Sequence, residues 1–201
     1  MRSPPTKWGA PLSAAFTDLQ VLSLQINLAA RAGSRYDAAD FCSILESLQS
    51  RLLYLRRDTR SLGLYSVPQF PYIDSIAIDV EDPIREFVRL VMLAFLTTTF
   101  KALGNNMPFQ WIGAQLAEIV PKLCEQRDED NAEFLVWGLA VAGISVVSPE
   151  ERWFRQAWME VAPGREWKAV RRCLIKVMWI GIVQDAVGEA VFESLQGSEY
   201  E

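Results

Sequence analysis

This sequence predicts an all-α fold: a single compact domain of about seven to eight helices around central buried helices. Three observations predict it. Apolar residues recur at spacings of three and four along most of the chain, and no run alternates convincingly with period two. Two stretches, Leu90–Phe100 and Phe134–Val147, carry no charge, so helices there must be surrounded on every side. Caps, first-turn prolines and glycine stops separate the periodic stretches. A length of 201 residues, 50% hydrophobic and 22% charged, suits one globular domain with a sizeable core.

The elements follow in order. Residues 1–10, with two prolines and a glycine, read as a flexible tail, as do residues 197–201, which leaves 11–196 as the helical domain. From Leu12 a helix carries Phe16, Leu19, Leu22 (or Val21), Ile26 and Ala29–Ala30 on one face and stops at Arg31-Ala32-Gly33. Asp37 opens a second, with Phe41, Ile44, Leu45, Leu48, Leu52 and Leu55 facing inward. Residues 58–81, holding Gly63, Pro68, Pro71 and several aromatic rings, read as an ordered loop lying on the core. Asp74–Val80 is the one short strand candidate.

Asp82-Pro83 is a cap followed by a first-turn proline, and the helix behind it runs to about Leu103. Pro108 opens the next helix, in which Pro121 predicts a kink or an early end. Asp130–Glu133 has capping-box spacing before the uncharged run from Phe134. Ser148-Pro149-Glu150-Glu151 is the clearest start signal in the chain, and Pro163-Gly164 closes the helix it opens. A last helical stretch runs from Arg165 to about Leu195, bent at Gly181. Its expected inner face is Trp167, Val170, Leu174, Val177 and Met178, then Ile182, Ala186, Val187 and Ala190.

Composition closes several routes to function. There is no histidine, so a Ser-His-Asp triad and a His-ligated metal are excluded together. Cys42, Cys124 and Cys173 stand far apart without C-x-x-C spacing, so they predict buried thiols in a reducing compartment. A net charge of −5 argues against direct nucleic-acid binding. No phosphate-binding glycine loop occurs, and no metal or cofactor is expected. The N-terminus lacks a signal-peptide core and Leu90–Phe100 is too short to cross a bilayer, so the expectation is a soluble, intracellular protein without a membrane partner.

The remaining clusters read as structure first. Lys168, Arg172 and Lys176, with Arg171 beside them, suit the solvated face of an amphipathic helix. Asp128-Glu129-Asp130 suits a helix N-terminus. Trp137, Trp153, Trp158, Trp167 and Trp179 suit a core first, and as a second reading the wall of an apolar ligand pocket over which Tyr65 and Tyr72 would lie. The candidate pocket residues are thus Trp137, Trp153, Trp158, Trp179, Tyr65 and Tyr72, with no catalytic residue among them. Gly138, Gly143 and Gly181, in or near buried helices, predict close helix–helix approach.

Four segments carry a resemblance. Glu86-Phe87-Val88-Arg89-Leu90 running into Leu93–Leu96 is similar to the acidic-x-x-Arg-Leu start of a long buried helix. Leu135–Gly143 resembles a tryptophan-bearing buried helix with a trailing glycine. Glu151-Arg152-Trp153-Phe154 and Glu166–Val170, through Leu174 to Trp179, resemble the helices that follow. Together, over roughly Asp82 to Leu195, they resemble the fungal-specific transcription factor domain, the helical regulatory region of fungal zinc-cluster activators. The resemblance implies a nuclear, all-α domain that regulates transcription through a protein partner, a homodimer or an apolar small-molecule effector such as a secondary metabolite. The family's six-cysteine DNA-reading cluster has no counterpart before Cys42. A stand-alone helical enzyme or binding protein with an aromatic pocket is the alternative reading.

Overall fold

The two uncharged stretches of the sequence lie at the centre of the structure. A computed structural model describes residues 3–4, 8–34, 38–55, 82–102, 110–126, 129–164 and 166–196. Among these residues the chain is all-α, a single domain of eight helices without a strand. They are α1 (Ala10–Arg31), α2 (Ala38–Tyr54), α3 (Pro83–Ala102), α4 (Gln110–Glu125), α5 (Glu129–Ser145), α6 (Arg152–Val161), α7 (Trp167–Val177) and α8 (Gly181–Gln196). The expected loop 58–81 with its strand candidate, the tail 197–201, and Asp128 lie outside the described residues.

Helix α3 packs on α5, and the other helices surround the pair: α1, α2, α4 and α8 touch α3, while α6, α7 and α8 touch α5. Every residue from Phe87 to Phe100 in α3 is buried, as is every residue from Phe134 to Gly143 in α5. Gly138 permits the close approach. A Cβ built on it would stand 2.2 Å from the Phe87 ring and 3.0 Å from Val91.

Local signals set most of the ends. Asp82 accepts the backbone N–H of Arg85 at 3.3 Å, with Pro83 in the first turn, as its cap position requires. Helix α1 ends in a Schellman arrangement: Ser34 N–H donates to the Ala29 carbonyl and Gly33 N–H to that of Ala30. Gly33 takes φ +65°, a conformation that residues with a Cβ seldom adopt. Arg89, 3% exposed, grips Glu86 at 2.6 and 2.7 Å and donates to the Leu52 carbonyl near the end of α2. One buried cation thereby ties α3 to α2.

Five expectations need correction. Trp8, within the stretch read as a tail, is fully buried edge-on against Phe16 and Phe134, because an indole gains more from burial than a short terminal segment gains from freedom. Ile44 is 38% exposed rather than inward, since Phe41, Leu45, Leu48 and Leu52 already fill the inner face of α2. Of the two outcomes expected at Pro121, the early end does not occur, for α4 continues through it to Glu125. Ser148–Glu151 forms a hydrogen-bonded turn, with helix α6 starting only at Arg152. The last stretch is two helices, not one: Met178–Ile180 breaks it.

That break rotates everything behind it. In α8 the inward residues are Gln184, Gly188, Phe192 and Leu195, whereas Ile182 and Val187 are 73% and 50% exposed, and Ala186 and Ala190 are exposed too. A three-residue interruption resets the helical phase, so an inner face extrapolated from α7 lands on the wrong side.

Candidate functional site

Two places could bind something: the aromatic interior, which the sequence singles out, and the cleft between α1 and α2, which it does not. The interior is built on the Met178–Ile180 break. Three successive carbonyls there accept from three side chains on two other helices. Gln20 donates to Val177 at 2.6 Å, Trp137 to Met178 at 2.7 Å, and Asn27 to Trp179 at 2.6 Å. Gln184 accepts the Ile180 N–H at 2.8 Å and donates to the Thr98 hydroxyl at 2.9 Å, while Asn27 accepts from Gly181 N–H. Buried backbone outside a helix is stable only when its polar groups are met in this way.

Five of the tryptophans fall into two ring clusters. Trp137 belongs with Trp8, Phe16 and Phe134, with centroids 4.8 to 5.9 Å apart at steep angles. Trp158 and Trp179 belong to a second series, Trp158–Phe192–Trp167–Trp179, spaced 5.9 to 6.5 Å. Gly188 lies under it; a Cβ there would meet Trp167 at 2.9 Å and Trp179 at 3.0 Å. Trp153 is partly buried at the edge of the core, edge-on to Phe154 at 5.8 Å, with its indole N–H on the Glu151 carboxylate at 2.6 Å. Tyr65 and Tyr72 lie outside the described residues. Within each cluster the rings meet one another, which is the arrangement of a packed core. The Trp158 indole N–H has no acceptor among the described residues.

A charged triad closes the second cluster. Asp185 accepts from Arg171 at 2.7 and 2.9 Å and from the Trp179 indole at 2.8 Å. Burial alone pushes the Asp185 carboxyl up, but the hydrogen bonds from Arg171 and Trp179 and the guanidinium's charge outweigh it, leaving its pKa below the ordinary value. The hydrogen bond to Asp185 likewise raises Arg171, against the effect of burial. Of the basic row read from the sequence, Arg171 is therefore structural, and Lys176 reaches Glu133 at 3.4 Å. Lys168 and Arg172 face solvent.

The cleft is different in kind. Two open grooves, of about 440 and 370 Å³, run between α1 and α2. Val21, Leu22, Ile44 and Leu48 give the larger one an apolar floor and wall, with Gln25, Ser43 and Ser47 as its polar groups. Pro11, Tyr54 and Leu55 line the smaller. The Asp18–Arg51 ion pair, 2.6 Å long and half exposed, bridges the two helices at the cleft. Sequence reasoning missed this site because it treats every apolar residue on a helix as a candidate for the inside. The available signal was that α1 has apolar residues on two faces.

Among the described residues no group of three or more acidic or thiol side chains is placed to hold a metal ion, and no helix is long and apolar enough to cross a membrane. Compared with models of known families, with curated proteins and with solved structures, the chain finds no match in any of the three.

Proposed function

We propose that this chain is a regulatory helical domain, similar to the fungal transcription factor domain, that binds a protein partner or an apolar effector rather than DNA and acts in the nucleus. The observation that carries the binding part of this reading is the open, apolar cleft between α1 and α2, rimmed by serines and an ion pair. An exposed groove of that composition suits an amphipathic helix or an apolar molecule laid into a surface. It suits a hydrolytic enzyme poorly, since the perturbed carboxylate Asp185 is engaged by Arg171 and Trp179 instead of facing a cavity. The transcriptional part rests on the four resembling segments, Glu86–Leu96, Leu135–Gly143, Glu151–Phe154 and Glu166–Trp179.

Native mass spectrometry of protein purified from a eukaryotic host tests the reading. The expected result is a folded chain that carries an apolar molecule or a helical partner, lost on Ile44→Asp without a change in the melting curve. Nanomolar binding of labelled DNA at physiological salt would sink it, as would a captured partner whose affinity ignores Ile44→Asp.

A further inference from the structure

Among the described residues ahead of α1, one side chain alone reaches the core. Ser3 is exposed and Pro4 partly buried, and Gly9, Ala10 and Pro11 are all exposed, so after Trp8 the next buried residue is Leu12. The Trp8 indole is fully buried, with ring centroids 4.8 Å from Phe134 and 5.2 Å from Phe16. Phe16 in turn stands 5.9 Å from both Phe134 and Trp137. The seat of Trp8 is therefore an indole-sized hollow between α1 and α5, walled by aromatic rings.

Two features weaken this anchor. The Trp8 indole N–H has no acceptor among the described residues, whereas those of Trp137 and Trp179 donate at 2.7 and 2.8 Å. A buried donor left unmet offsets part of what burying the ring gains. The second feature is Gly9, through which Trp8 reaches its seat. Its φ of 79° and ψ of 154° form a backbone conformation open essentially to glycine. Helix α1 does not depend on Trp8, since Pro11 stands in its first turn and the Gly9 carbonyl accepts the Ser13 N–H. Glycine takes negative φ as readily as positive, so Gly9 can swing Trp8 outward while α1 stays intact.

We propose that Trp8 is a displaceable plug, and that its seat binds a planar, uncharged bicyclic aromatic molecule without a hydrogen-bond donor. Such a ligand fills the same hollow and keeps the edge-to-face contacts with Phe16 and Phe134, but leaves no donor unmet. Its binding and the seating of Trp8 exclude each other. The ligand therefore sets whether Trp8 lies in the core or on the surface at the start of α1. None of these rings lines the α1–α2 cleft, and the inference does not rest on it.

Fluorine NMR of the full chain labelled with 5-fluorotryptophan tests the plug, with the Trp8 signal assigned by Trp8→Phe and benzofuran as the probe. The expected result is that benzofuran shifts the Trp8 signal to one that a soluble paramagnetic agent broadens, as it does for an exposed ring. Indole, which has the same shape and carries a donor, binds about tenfold more weakly. Gly9→Ala strains only the seated conformation, because a Cβ there meets nothing within 4 Å, so it tightens benzofuran about tenfold. A Trp8 signal that stays shielded up to the solubility limit of benzofuran overturns the inference. So does equal benzofuran affinity in Gly9→Ala and wild type, which would place the molecule elsewhere. Indole binding as tightly as benzofuran overturns it too, for the seat would then satisfy a donor.

Discussion

At the scale of single residues the most constrained position is Gly138. A mid-helix glycine ordinarily gains up to about 1 kcal/mol on substitution by alanine. Here the new methyl would stand against the ring of Phe87, which is only 1% exposed. Overpacking wins, and Gly138→Ala is expected to destabilise the fold by about 2 kcal/mol in urea unfolding. Asp185 gives a second residue-scale expectation. Its pKa is lowered by folding, so its contribution is complete above the ordinary carboxyl value of 3.8 and fades as pH falls through the still lower folded value. The pair is partly exposed, so Asp185→Asn should cost only about 1 kcal/mol near neutral pH. The gap between the variant and the wild type should narrow as pH falls below 3.8 in parallel urea titrations. The glycine's role was legible in the sequence, because a glycine within an uncharged helix needs a steric reason. The triad was not: residues fourteen apart come together only through a turn that periodicity does not reveal.

At the scale of elements, the start of α3, the stop of α1 and the burial of α3 and α5 were legible because each depends on neighbours in sequence. The α7–α8 break and the exposure of Ile182 and Val187 were not. Both depend on polar groups far along the chain, Gln20, Asn27 and Trp137, that accept a non-helical segment into the interior. Gln184 is the reason for the phase of α8, since its amide serves both Ile180 N–H and Thr98 from inside. Gln184→Leu keeps the volume and removes both hydrogen bonds. It is expected to cost about 2 kcal/mol or more, for the unmet Ile180 N–H. Hydrogen exchange should show the loss locally, with the amides of Ile180 and Gly181 becoming faster than those of α5.

At the scale of the molecule, α5 touches α3, α6, α7 and α8, so no group of helices has a core of its own. Unfolding is expected as one transition, with far-UV circular dichroism and tryptophan fluorescence giving coincident urea curves. Two separated transitions would show that α1 and α2 are a detachable unit. The whole-molecule fold class was readable from periodicity and the absence of charge over two stretches. The exposed apolar face of α1 was less readable: sequence marks which residues are apolar, but only the filled inner face of α1 shows that Val21, Leu24 and Leu28 are surplus to it.

The clamp on Met178–Ile180 bears on how the chain is made. Synthesis runs from the N-terminus, so Gln20, Asn27 and Trp137 are all made before the carbonyls that satisfy them. Until α7 and α8 emerge, the nascent chain holds three polar groups that no later-buried acceptor has met, beside the bare apolar faces of α3 and α5. The interior therefore closes only once α7 and α8 have emerged, and a chain stopped anywhere before Val177 is expected to be a client for chaperones and proteases.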